Sequence, residues 1–134
     1  MAEREAVMFR NSVCLGAAVL VFSTFLPASI GDGEWLTRVP EKYRVQRNPY
    51  KKNSDAVVAG SKLFRQHCAE CHGTRGQGRD PRLNLLYSGR IKKATPGQLE
   101  WLLTNGSKKN GMPSWSGLPE SERWQIVSFL KTLE

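Results

Sequence analysis

The chain has 134 residues, 40% of them hydrophobic, and a formal net charge of +8. This length accommodates one small domain plus extensions, with a core modest enough that a covalent staple is expected. Period-two alternation is scarce, which argues against a sheet. The basic balance suits nucleic acid, an anionic membrane face or an acidic protein, and the amino-terminal segment removes the first of these.

Met1 to Ser12 sets Arg4 and Arg10 against Glu3 and Glu5, and Val13 to Leu26 is apolar. Pro27-Ala28-Ser29-Ile30-Gly31 follows, and polar sequence resumes at Asp32. This is the three-part layout of a secretory signal, with Ser29 and Gly31 as the small residues that a cut after Gly31 requires. The alternative is a retained anchor, since Val13 to Ile30 lies at the short end of what spans a bilayer. Either way residues 1–31 carry the rest of the chain out of the cytoplasm, away from nucleic acid. Cys14 precedes the apolar run, and Asn11-Ser12-Val13 does not resemble a lipobox, so Cys14 reads as a small apolar residue of that segment.

Residues 32–53 read as a basic extended arm. Arg38, Lys42, Arg44, Arg47, Lys51 and Lys52 are interleaved with Trp35, Tyr43 and Tyr50, and Pro40 and Pro49 punctuate the segment. It is either a tether or loose strap, or a docking arm for a partner or lipid headgroups.

The main folded domain is expected over residues 54–134. A first helix should run from about Ser54 to Cys68, with Asn53, Ser54 and Asp55 as capable caps. Val57, Gly60, Phe64 and His67 recur at helical spacing. Gly60 costs roughly 1 kcal/mol against alanine in a helix interior, which suggests that another helix crosses closely there.

Cys68-Ala69-Glu70-Cys71-His72 then carries the chemistry. Two thiols three positions apart, followed at once by an imidazole, are the attachment signature of a c-type haem. Each thiol can form a thioether with a porphyrin vinyl group, and His72 can ligate the iron. A bare CxxC also occurs in redox disulfides and zinc sites. The first reading lacks a strand–helix–strand context. The second lacks a further ligand pair, because Cys14 and His67 are the only other Cys and His. Haem brings one-electron chemistry.

Gly73, Gly76 and Gly78 make a loop able to pass close to the porphyrin. Pro81, in Asp80-Pro81-Arg82-Leu83, is a candidate to present its carbonyl to the free ring nitrogen of His72; the alternative is an ordinary turn proline. A middle helix is capped by Thr95, begins at Pro96 and ends at Asn105-Gly106, with Leu99, Leu102 and Leu103 as its apolar face. Trp101 and Tyr87 are either packing residues or hydrogen-bond donors to a haem propionate. A last helix begins near Pro119, with Glu120 and Glu122 at its amino end and Lys131 at its carboxyl end. Its face of Trp124, Ile126, Val127, Phe129, Leu130 and Leu133 should cross the first helix near Gly60 and Phe64.

Met112 is the only methionine beyond Met8. It lies in Asn110-Gly111-Met112-Pro113-Ser114-Trp115, a polar loop between the second and third helices. A thioether as sixth ligand gives a His/Met pair, which favours ferrous iron. The plain alternative for a lone methionine is core packing, and His67 and the lysines are weaker candidates for the sixth ligand.

From Asp55 to Glu134 these elements resemble a class I c-type cytochrome of the monohaem bacterial type. They are most similar to the haem domain of cbb3-type oxidase subunit III, and also to cytochromes that accept electrons from quinoprotein dehydrogenases. The resemblance rests on Gly60, Phe64, Cys68 to His72, Gly76-Gln77-Gly78, Pro81-Arg82-Leu83, Asn105-Gly106, Gly111 to Trp115 and the Ile126 to Leu130 helix. It implies the all-α cytochrome c fold: three main helices around one covalently attached haem c, preceded by an apolar amino-terminal helix. It also implies His72 and Met112 as axial metal ligands, with Cys68, Cys71, Pro81 and Trp115 completing the cofactor-binding set. It does not extend to the basic arm.

The expected function is electron transfer without catalysis, because both axial positions are filled and an electron needs no open site. Lys92, Lys93, Lys108, Lys109, Arg75 and Arg79 are candidates for a basic rim that docks an acidic redox protein. The carrier is expected in the periplasm, either soluble after cleavage or anchored to the inner membrane through residues 13–30. Its expected partners are an oxidase, a quinol-oxidising complex, a quinoprotein dehydrogenase or a reaction centre. A competing reading is an anchored subunit of such a complex. A haem peroxidase or gas sensor would need Met112 to leave the iron.

Overall fold

A computed structural model describes residues 34–87 and 89–133. The expected leader or anchor over residues 1–31, with Cys14, lies outside these residues. The described chain is all-α: α1 (Glu34–Arg38), α2 (Glu41–Arg44), α3 (Ser54–His67), α4 (Ala69–His72), α5 (Arg90–Lys93), α6 (Pro96–Asn105) and α7 (Glu120–Leu130), with one 3-10 turn at Lys108–Asn110. Among the described residues no helix is long and apolar enough to cross a membrane.

Helix α3 begins where the Asn53 side chain accepts the Ala56 backbone N–H at 3.0 Å. Its buried stripe is Ala56, Gly60 and Phe64, while Val57 is only half-buried. Helix α7 crosses at Gly60 so closely that a Cβ there would stand 1.9 Å from the Gln125 carbonyl oxygen. One turn on, the rings of Phe64 and Phe129 meet with centroids 5.1 Å apart. The expected crossing is therefore present, and the missing side chain is what permits it.

Helix α6 has the expected ends. Thr95 and Gln98 form a reciprocal capping box, Pro96 opens the first turn, and the chain turns away at Gly106. Leu99 and Leu103 join Phe64, Trp124, Ile126, Val127 and Leu130 in one core, beside the half-buried Phe129 and Leu133.

The basic segment departs from expectation. It is not extended but folds into α1 and α2, which dock on the rest of the domain. Val39 is 2% exposed. The Leu36 carbonyl accepts from Gln98 Nε2 at 3.1 Å and the Arg44 carbonyl from Thr95 Oγ1 at 2.9 Å. Asn48 Nδ2 donates to the Trp124 carbonyl at 3.1 Å and to Ser128 Oγ at 2.9 Å. Helices this short are too brief to show a hydrophobic period and do not persist alone, so tertiary contacts stabilise them.

Candidate haem site

A cavity of about 600 Å³ opens between α3, α4, α6 and the loops that follow α4 and α6. Its size falls within the roughly 300–1,000 Å³ typical of cofactor pockets. Phe64, Leu99, Leu103, Ile126 and Leu130 supply apolar wall, and Cys68, Cys71, His72 and Met112 all border it.

Helix α4 is a single turn that carries the attachment motif from the end of α3. Cys68 is buried and Cys71 exposed. Burial, and secondarily the charge of Cys71, pushes the Cys68 thiol up to about 11. Gly73 then ends the turn at φ 71°.

The loop that follows folds back on His72. Gly78 has φ 70°, and a Cβ there would stand 2.5 Å from the Asn84 nitrogen, so a side chain would be excluded twice. The Gly78 N–H donates to the His72 carbonyl at 2.7 Å and the Leu85 N–H to the Gly76 carbonyl at 2.8 Å. Asp80 opens a turn closed by the Leu83 N–H on its carbonyl at 3.0 Å. The Asp80 carboxyl accepts the Arg82 N–H, and that bond is the main cause of its lowered pKa.

This turn aims a carbonyl at the imidazole, and the carbonyl belongs to Leu83, not to Pro81. His72 Nδ1 lies 2.7 Å from Leu83 O. A carbonyl only accepts, so Nδ1 carries the proton and the Nε2 lone pair is left for a metal. Pro81 is exposed and does not border the cavity; it shapes the turn two residues upstream.

Met112 is clamped by its backbone. Its carbonyl accepts from the Ser107 N–H at 2.8 Å and its N–H donates to the Ser107 carbonyl at 3.0 Å. The loop is also held by the Trp115 N–H on the Leu103 carbonyl at 2.8 Å and by Ser114 Oγ on the Thr104 carbonyl at 2.6 Å. Trp115 borders the cavity, and its ring centroid lies 5.3 Å from that of His67. His67 thus meets Trp115 in a tilted ring contact, at an interplanar angle of 56°.

Neither Trp101 nor Tyr87 borders the cavity, and Tyr87 is 77% exposed, so packing or solvent contact describes them better than propionate binding. Of the expected basic rim only Lys109 borders the cavity; Arg82 and Arg90 join it there, while Lys92, Lys93, Lys108, Arg75 and Arg79 lie elsewhere. Trp35 also borders the cavity and was not legible as a site residue. Its only sequence signal is an aromatic in a basic segment without period.

The residues fit a covalent haem. Two thiols border the cavity, the imidazole holds its proton on Nδ1, a thioether lies on the same cavity, and the remaining wall is largely apolar. Residues 55–130, more than half of the chain, match the family described as Cytochrome C oxidase, cbb3-type, subunit III. No curated protein matches the chain closely enough to be reported as a relative. With the attachment motif, the helical fold and this match in agreement, the chain belongs to that family of class I c-type cytochromes, whose members carry covalent haem c and serve electron transfer.

Proposed function

We propose that the protein passes single electrons between extracytoplasmic redox partners through a haem ligated by His72 and Met112. The observation that carries this reading is one cavity bordered at once by Cys68, Cys71, His72 and Met112. The haem supplies the one-electron couple; the chain supplies its attachment, orientation and surroundings. Cys68 and Cys71 anchor it. The Leu83 carbonyl holds the His72 proton on Nδ1 and makes Nε2 the more basic ligand. The Ser107–Met112 bridge presents the thioether from a fixed backbone. His72 and Met112 would together hold the metal with protein side chains, which would leave no place there for a substrate and suit a carrier without catalysis.

Lys109 and Arg90, with Arg82 paired to Asp80, and with Glu70 also on the lining, leave a small positive excess beside the cavity, which favours an acidic docking partner through weak, salt-sensitive contacts. The proposed organisation is a leader or anchor over 1–31, the basic segment over 32–53 and the haem domain over 54–134, with the haem domain in the periplasm. The family match favours a second form of the same reading, in which the chain is an anchored subunit of a membrane oxidase complex.

Carbon monoxide binding tests the ligation. The ferrous protein is expected to resist the gas at neutral pH, and Met112→Ala to bind it readily while keeping its haem. Equal binding by both proteins would overturn Met112 as ligand and reopen the gas-sensor and peroxidase readings. Intact mass from membrane and periplasmic fractions separates the two forms of the carrier. Loss of residues 1–31 with one haem gained marks the soluble carrier, and full length with one haem in membranes marks the anchored subunit.

A further inference from the structure

Trp35 stands apart from every other aromatic on the cavity, because it lies outside residues 55–130 that match the family. It sits on α1, in a segment whose later residues are firmly held. The Leu36 carbonyl is bonded by Gln98, itself 8% exposed and committed to the α6 capping box. The Tyr43 carbonyl lies against Gly97, where a Cβ would stand only 1.9 Å away. Thr95 holds Arg44, and Asn48 is bonded to α7. The contacts from Leu36 onward fall on the α6 cap at Thr95, on Gly97 and Gln98 of α6, and on the Trp124 carbonyl and Ser128 of α7. They fix the segment's path.

We propose that residues 34–50 form a strap that completes the haem pocket, and that Trp35 is the strap's haem-contacting residue. The inference rests on the cavity being the haem site. An indole on that wall replaces water with a large apolar surface. Oxidised haem iron carries one more positive charge than reduced iron, and a drier, less polarisable wall disfavours the extra charge. Trp35 therefore raises the reduction potential, and α6 controls that effect at a distance by holding the strap.

The test uses the full-length haem-loaded protein and its Trp35→Phe, Trp35→Ala and Gly97→Ala variants. Gly97 has no positive φ and does not border the cavity, so an added methyl acts chiefly by displacing the strap at Tyr43. The protein has four tryptophans; with 5-fluorotryptophan in each, the fluorine resonance missing from Trp35→Phe belongs to Trp35. That resonance is expected to move between ferric and ferrous protein, and to lose most of this movement in Gly97→Ala. Trp35→Ala and Gly97→Ala are expected to disfavour reduction at least threefold, about 28 mV on a one-electron scale where tenfold is about 59 mV. Trp35→Phe should stay within that interval of wild type.

A Trp35 resonance indifferent to the redox state, or a potential unchanged in Trp35→Ala, overturns the strap. Should Gly97→Ala fail to accumulate, the two Trp35 variants decide alone. A wild-type protein that carries no haem overturns the cavity reading itself, an outcome distinct from a loaded protein with an indifferent Trp35.

Discussion

Arg123 donates from Nε to Glu100 Oε1 across 2.9 Å, and the two side chains are only 11% and 8% exposed. The same carboxylate oxygen accepts from Thr104 Oγ1 at 2.8 Å, and Arg123 Nη1 donates to the Leu118 carbonyl. One buried ion pair thus joins α6 to α7 and holds the far end of the loop that begins at Met112. No buried side-chain polar atom among the described residues lacks a partner.

Removing one member of this pair should cost more than removing both. Glu100→Leu leaves a guanidinium buried without its counter-charge and is expected to lose about 3 kcal/mol. The double variant Glu100→Leu/Arg123→Met should recover a large part of that loss. Urea denaturation of the two single variants and the double variant closes the cycle. Additive losses would mean that the pair contributes no coupling.

Gly60→Ala is expected to destabilise by about 2–3 kcal/mol or more, despite the roughly 1 kcal/mol that alanine gains in helix propensity. The obstacle is the Gln125 backbone carbonyl, which cannot rotate aside. Gly117→Ala meets nothing within 4 Å and serves as the control, expected near neutral. Thermal melts of the two variants side by side make the comparison.

Lys131 Nζ donates to the carbonyls of Ile91 at 3.1 Å, Lys92 at 2.7 Å and Ala94 at 2.9 Å. It closes the carboxyl end of α5 from the end of α7. Lys131→Met should therefore cost about 2 kcal/mol, the scale of hydrogen bonds from a charged donor. Hydrogen exchange should quicken at the amides of α5 while those of α3 keep their protection.

The Cys68 thiol makes a pH prediction for the haem-free chain. Its pKa is raised by burial from 9.0 to about 11. The folded form then retains the proton over a range where the unfolded form releases it. Stability is therefore full below pH 9 and falls between pH 9 and 11, by about 3 kcal/mol. The haem-attached protein has a thioether in place of the thiol and should lack this component. Guanidine denaturation at pH 8 and pH 11, with and without attached haem, checks the sign. In the same haem-free chain iodoacetamide should label the exposed Cys71 ahead of Cys68, and equal labelling at pH 8 would contradict the burial.

Much was legible before any coordinates. CxxCH names its cofactor because thioether formation and ligation depend on local spacing, which sequence records directly. The ends of α6 were legible because Thr95, Pro96 and Gly106 act on their immediate backbone neighbours. The close crossing at Gly60 was legible because glycine inside an amphipathic stripe has few other physical reasons to be there. The two short helices of the basic segment were not legible, since one turn shows no period and its stability comes from α6 and α7.

The carbonyl facing His72 shows the same division at atomic scale. The sequence by itself placed the acceptor within Asp80-Pro81-Arg82-Leu83, but which carbonyl points at Nδ1 depends on how Gly78 lets the loop close on Asn84. Trp35 and Arg90 reach the cavity only because distant segments are folded against it. Sequence alone thus determined the cofactor class, the helix ends and the main crossing, each set by interactions within a few positions or by a single absent side chain. Tertiary structure alone decided which carbonyl orients the imidazole and which basic residues lie beside the cavity. Those choices rest on non-local packing, which neither spacing nor composition encodes.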